Sequence, residues 1–269
     1  MVRNPMLPFD LNSSSGARLI ARTLSDGSLS LRHRNTYIFE YYSKDKEAID
    51  VAIDDVNKVY GDVDAEPSLR KDRGLYRVTF STSIAEPLVR AGGALGRKVV
   101  EDPSLPIWVR YNDREIQKAY LRQVFDDEGD VDPSGYVRYK RGVDITDALR
   151  PGQVEFLEKM EWEDKRTPMG GTTRYVSLTG NVKSRLENAG IWRTICSHPP
   201  RLMVDEIELL GSRFGISFNV YPKALHKTRR GYGIVWVART LSRDDTRRFG
   251  EGINFGLGRK RNKLEEALR

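Results

Sequence analysis

The chain has 269 residues, 39% of them hydrophobic and 31% charged, which supplies one large core or two modest ones and excludes the disordered class. Forty-five lysines and arginines against 38 acids leave a net charge of +7, a surplus that favours a polyanionic partner without identifying one. A single cysteine, Cys196, excludes an internal disulfide, and with only three histidines, His33, His198 and His226, any metal is expected on oxygen ligands.

Residues 16–27 (GARLIARTLSDG) read as a short helix behind the capping serines Ser13, Ser14 and Ser15, stopped by Gly27, a residue type that tolerates the left-handed conformation. Alternating β-branched and aromatic residues over 28–42 predict two strands joined by a turn. Residues 48–59 read as an amphipathic helix, 75–81 as a strand, and 85–90 as a shorter helix. Residues 102–112, with Pro103 and Pro106, read as a linker, so the expected division is 1–101, a linker at 102–115, and 116–269. A second short helix follows at 119–129 (AYLRQVFDDEG), then strands at 136–139 and 174–179. Residues 142–173 read as a loop-rich insertion with a helix at 153–162. The last elements are a helix at 202–214, strands at 216–221 and 232–238, and a helix at 244–250.

The two short helices form a degenerate repeat. In register, Leu19 matches Leu121, Asp26 matches Glu128 and Gly27 matches Gly129, an offset of 102 residues. Gly96-Arg97-Lys98 closes the first half and Gly258-Arg259-Lys260 the second. From acid to lysine the first half spans 72 residues and the second 132, the excess lying in the insertion. Small residues at Ala17 and Ala21 permit close packing of the helices, although the second offers only Ala119 and the larger Gln123. Packed in parallel, they would present Asp26 and Glu128 together at the negative ends of two helix dipoles, where a cation is favoured and an unneutralised acid pair is repelled. That suits Mg²⁺, a hard ion that takes carboxylate, phosphate and water oxygens.

On these residues the chain resembles the LAGLIDADG homing endonucleases over nearly its whole length. Residues 19–29 (LIARTLSDGSL) look like a variant first motif and residues 121–131 (LRQVFDDEGDV) like the second motif of single-chain members; residues 253–264 are similar to the closing segment. Leu24 departs from the motif by replacing its first aspartate. The resemblance implies a mixed α+β fold of two αββαββα halves with saddle-shaped antiparallel sheets. It implies a monomer that cuts duplex DNA once per strand, leaving short 3′ overhangs, with Asp26 and Glu128 as metal ligands. The backbone of Gly27 and Gly129 would assist, and Lys98 and Lys260 would approach the scissile phosphates. Mg²⁺ is the expected ion, Mn²⁺ a substitute, and Ca²⁺ a binder that does not support cleavage.

Base reading in the major groove is expected from strand side chains that match base edges: Arg32, Arg34, Tyr37, Arg77 and Thr79 in the first half, and Arg138, Lys140, Arg174 and Ser177 in the second. Lys227, Arg229 and Arg230 are expected to touch phosphate. The alternative is a non-cleaving binder on the same scaffold, an RNA-splicing maturase or a DNA-binding regulator, and intron RNA is a further candidate partner. Retention of both acids argues against it, because a carboxylate beside the backbone repels phosphate. No stretch of about 18 apolar residues occurs and residues 1–8 lack the order of a signal peptide, so no membrane partner and an intracellular location are expected. The four tryptophans and Cys196 read as packing residues, and a thermophilic host would suit the composition.

Overall fold

A computed structural model describes residues 11–33, 36–71, 73–166 and 172–269. Ser13 accepts the Gly16 N–H at 3.1 Å and so starts α1 (Ser14–Leu24), as the capping serines predict. Two strands follow, β1 (Ser28–Arg32) and β2 (Thr36–Ser43), then α2 (Lys46–Tyr60), β3 (Ser68–Arg70), β4 (Leu75–Phe80) and α3 (Thr82–Arg90). This is one αββαββα unit. The connecting stretch is ordered: it carries α4 (Lys98–Glu101) and α5 (Ile107–Arg110), and Asp205 fixes it by accepting from the Leu105 N–H at 2.8 Å.

Asp113 caps α6 (Arg114–Glu128) by accepting from Ile116 N at 2.9 Å. The strands β5 (Gly129–Val131) and β6 (Val137–Asp144) lead into α7 (Pro151–Glu158), the hairpin β7 (Glu163–Arg166) and β8 (Thr172–Ser177), α8 (Gly180–Asn188) and α9 (Ile191–Cys196). The unit then resumes with α10 (Arg201–Phe214), β9 (Phe218–Thr228), β10 (Gly231–Thr240) and α11 (Arg243–Gly252), and ends with α12 (Gly258–Leu268). Both halves thus share one topology, and the second holds extra elements between its second strand and second helix.

The sheets are antiparallel, in the orders β1-β2-β4-β3 and β5-β6-β10-β9-β8-β7. The inserted hairpin therefore widens the second sheet by two strands rather than forming a separate loop. The strand expected at 174–179 forms as β8, which joins at the far side of the sheet through β9, and β5 pairs with β6. The helix expected at 153–162 ends at Glu158, and Trp162 folds back to donate to the Leu157 carbonyl at 3.0 Å.

Each sheet buries one face on helices, and one-residue alternation divides its side chains. On β6, Val137, Tyr139, Arg141 and Val143 are buried, whereas Arg138, Lys140, Gly142 and Asp144 face outward. Helices α1 and α6 pack side by side between the sheets, with Ala17, Ala21, Ala119 and Gln123 all buried. Asn112 donates to Asn12 beside the helix starts, and Arg141 and Tyr41 bridge the helix ends, so α1 and α6 run parallel. One continuous apolar core runs through both halves; Phe125 lies 5.0 Å from Tyr139 and 4.6 Å from Phe249, ring centre to ring centre. No helix among the described residues is long and apolar enough to cross a membrane.

Candidate metal centre and nucleic-acid interface

Parallel packing of α1 and α6 sets the acids that follow them at one place. Asp26 opens to solvent and Glu128 is half-buried. Crowding by the protein, then the charges of Glu128 and Asp127, hold the Asp26 carboxyl well above its ordinary range, while Lys98 and Lys260 pull it down. Because Asp26 still reaches water, the neighbouring acids are the more telling part of that push. Crowding by the protein pushes the half-buried Asp127 carboxyl up to about 6, with the Tyr41 hydrogen bond and Arg22 opposing the rise.

The glycine after each acid is required by space. Neither Gly27 nor Gly129 has a positive φ, contrary to the left-handed stop expected from the sequence; Gly129 has φ −86°. A Cβ on Gly27 would lie 2.6 Å from the Arg22 carbonyl oxygen and 2.8 Å from the Phe39 ring, and one on Gly129 would lie 2.5 Å from the Phe125 carbonyl oxygen. Only glycine lets the strand leave so close to the helix end.

Two lysines seal these helix ends, whose last carbonyls have no partner within the helix. Lys98 Nζ donates to Ser25 O and, at 2.6 Å, to Gly27 O. Lys260 Nζ donates to Phe125 O at 3.1 Å, to Asp126 O, and to Gly129 O at 2.7 Å. Burial lowers the pKa of both, opposed mainly by Glu128 for Lys98 and by Asp126 for Lys260. The halves differ in how these lysines are carried. Asp126 accepts from Gly256 N at 2.9 Å and Leu257 N at 3.1 Å, anchoring the loop before α12; Leu24, its counterpart, cannot. In the first half a backbone bond from Gly96 N to Leu29 O, 2.9 Å, does that work.

Buried charge surrounds the centre, and most of it was missed from sequence. Arg22 is 1% exposed and donates to Asp55 at 2.6 Å, and Arg18 joins the same carboxylate at 2.9 Å. Arg141 donates to Glu206 at 2.6 Å and to the Leu24 carbonyl at 2.6 Å, and stands 3.8 Å from Glu128. Tyr120 donates to Glu206 at 3.0 Å. The available signal was the alternation of β6, which puts Arg141 on the face of Tyr139 and Val143; the helix periodicity gave Arg22 no comparable mark.

The open sheet faces carry Arg32, Arg77 and Thr79 in the first half, and Arg138, Lys140 and Ser177 in the second. Glu40, between the first two, lies 3.6 Å from each. Arg138 pairs with Asp130 at 3.2 Å. Arg239, absent from the sequence reading, shares this face, bonded to Asp132 at 2.7 Å and lying over the Tyr136 ring. Tyr37, Arg174 and Lys227 lie elsewhere. By register Tyr37 and Arg174 point to the helix side, and Lys227 is in β9 rather than a loop, bonded to Glu158. Arg229 and Arg230 are exposed in the β9–β10 turn, and Arg34 lies outside the described residues.

Two creases flank the acids. One, of about 290 Å³, is lined by Lys98, Glu128, Lys140 and Arg141; the other, of about 440 Å³, by Asp26, Lys44, Asp45, Asp127 and Arg259. Among the described residues no three His, Cys, Asp or Glu side chains converge to hold an ion alone. Two carboxylates facing open space still fit a Mg²⁺-type ion, which ordinarily takes one or two protein carboxylates and completes its shell with water and phosphate oxygens.

Two αββαββα units joined through parallel helices that end in acid and glycine meet the architecture implied by the motifs. This is the mixed α+β fold that the resemblance to the LAGLIDADG endonucleases implies. No protein-family model matches the chain, and no curated protein does. Among solved structures it is similar to I-DmoI in complex with DNA and calcium, at 14% identity and a TM-score of 0.48 over 96% of this chain and 100% of that one. It is also similar to I-DmoI in complex with DNA and manganese, at 14% identity and a TM-score of 0.42 over 91% and 97% of the two chains. The homing endonuclease I-WcaI bound to its DNA recognition sequence gives 10% identity and a TM-score of 0.44 over 93% and 85%.

Proposed function

We propose that this chain is a site-specific double-strand DNA endonuclease of the homing type, acting as a monomer with a divalent ion. The observation that carries the reading is the meeting of Asp26 and Glu128 at the ends of two parallel helices, between two sheets whose open faces bear arginine and lysine. Each acid would serve one strand, with the scissile phosphates facing each other across the minor groove and short 3′ overhangs left behind.

Open-face side chains would enter the major groove, where arginine and lysine match guanine; Arg32, Arg77, Arg138, Lys140 and Arg239 are the candidates, with Thr79 and Ser177 as smaller partners. Hydrogen bonds to Asp130 and Asp132 orient Arg138 and Arg239, which favours sequence reading over loose phosphate attraction at those two positions. Arg229 and Arg230, exposed in a turn, suit phosphate contact.

At the centre, Asp26 and Glu128 would each hold a divalent ion at one scissile phosphate, one per strand. A bound ion supplies neutralisation of the phosphate charge and a lowered pKa for the attacking water. Lys98 and Lys260 keep both helix ends rigid and add positive charge close to the acids, which lets two carboxylates stay near a polyanion.

The test is incubation with a library of long duplexes in Mg²⁺ and separately in Ca²⁺, with sequencing of any ends produced. Discrete ends with short 3′ overhangs in Mg²⁺ and none in Ca²⁺ are expected. Binding without ends in either ion would overturn the endonuclease reading.

A further inference from the structure

The residue immediately before each acid is held by the opposite half. Tyr41, on β2 of the first half, donates at 2.7 Å to Asp127 Oδ1 on α6 of the second, one residue before Glu128. Arg141, on β6 of the second half, donates at 2.6 Å to the Leu24 carbonyl and lies 3.4 Å from the Ser25 hydroxyl, one residue before Asp26. By the 102-residue offset Ser25 and Asp127 are counterparts, and Tyr41 and Arg141 are each on the second strand of their half. The two contacts form a crossed pair about the pseudo-twofold.

These contacts are built to hold position. Tyr41 is 1% exposed and rides under the Arg22 guanidinium, 5.4 Å from its ring centre, and Arg22 is fixed in turn by Asp55. Arg141 is 8% exposed and anchored by Glu206. On the receiving side, Asp127 Oδ1 takes a second bond from Gln123 at 2.8 Å, while its Oδ2 is buried with no hydrogen-bond partner. With Oδ1 held by two donors and Oδ2 enclosed, the Asp127 carboxylate is turned one way, and Tyr41 is the donor from the opposite half that turns it. Two independently anchored side chains thus fix the ends of the two acid-bearing helices against each other.

We infer that Tyr41 is a positioning residue supplied by the first half to the acid of the second, so that Tyr41 governs Glu128, while Arg141, which bonds the Leu24 carbonyl and also stands 3.8 Å from Glu128, ties the two helix ends together. Tyr41 does not touch the reacting atoms, and the inference rests on the endonuclease reading above. A sub-ångström shift of one acid slows its own strand and leaves the other strand served. A general weakening of the fold would slow both alike. Strand-resolved cleavage therefore separates positioning from plain structural support.

The experiment uses the full chain and its cleavable duplex, with the two strands labelled differently. Asp26→Asn and Glu128→Gln first show which strand depends on which acid. Tyr41→Phe removes only the hydroxyl, and Asp127→Leu removes the acceptor from the other side. Both are expected to slow the Glu128 strand about tenfold relative to the Asp26 strand. Melting temperature and duplex affinity without divalent ions are read in parallel and are expected to stay close to wild type for Tyr41→Phe. Ca²⁺ titration of the protein–duplex complex by calorimetry is expected to weaken in the same variant. If Tyr41→Phe unfolds, Asp127→Leu carries the same strand test. Equal slowing of both strands, or an unchanged ratio in both variants, overturns the inference. A wild-type chain that cuts no duplex overturns the endonuclease reading instead.

Discussion

Lys98 and Lys260 make the same contact in the two halves: each ammonium donates to the carbonyl of the glycine that follows the acid, Gly27 at 2.6 Å and Gly129 at 2.7 Å. They differ in depth, since Lys260 is 7% exposed with three carbonyl acceptors, and Lys98 is half-buried with two. Lys260→Met is therefore expected to cost about 1–3 kcal/mol through unsatisfied buried carbonyls, and Lys98→Met less. Urea unfolding of the two variants checks the order.

Asp55 gives a pH dependence. Burial pushes its carboxyl up, but the Arg18 hydrogen bond and the charges of Arg22 and Arg18 outweigh it and hold the pKa below the ordinary carboxylate value. A depressed folded pKa stabilises fully above the unfolded value of about 3.9 and loses that contribution as pH falls through the folded value. Asp55→Asn, which leaves Arg22 without its buried counter-charge, is expected to lose about 3–5 kcal/mol at neutral pH. The gap to wild type should narrow below a pH of about 4, measured as urea midpoints across pH.

Gly27→Ala and Gly129→Ala each force a methyl group against backbone, at 2.6 Å from Arg22 O and 2.5 Å from Phe125 O. Each is expected to cost about 1–3 kcal/mol and to reduce cleavage more than duplex binding, because the neighbouring acid moves with the helix end. Cleavage and affinity measured on the same preparations separate the two effects.

Strand facing predicts which basic residues matter to DNA. Lys140 is on the open face of β6, whereas Lys227 is turned to the helix side and bonded to Glu158. Lys140→Ala is expected to weaken duplex binding by about 1–3 kcal/mol and Lys227→Ala by almost nothing, in fluorescence-anisotropy titrations at one salt concentration.

The same contrast shows what was legible in the sequence. The motif helices, the second helix of each half and the strand-rich stretches between them announced themselves through periodicity, because an apolar face recurs at fixed spacing. Residues 16–27 and 119–129 pointed to the paired acids for the same reason. Strand face was harder: Tyr37, Arg174 and Lys227 turn away from the open face because a one-residue change of phase reverses every side chain, and β7 joined the sheet from an insertion that resembled loop. Arg22, Asp55, Arg141 and Glu206 were invisible because charged residues signal surface until a partner far along the chain buries them. Their pairing spans 33 residues for Arg22 with Asp55 and 65 for Arg141 with Glu206.

The most direct test of the central claim is linearisation of a supercoiled plasmid carrying the chain's own site, in Mg²⁺, by wild type, Asp26→Asn and Glu128→Gln. The account predicts that wild type linearises the plasmid and that each variant binds the site with unchanged affinity but yields no linear product. Linear product at the wild-type rate from either variant would contradict it.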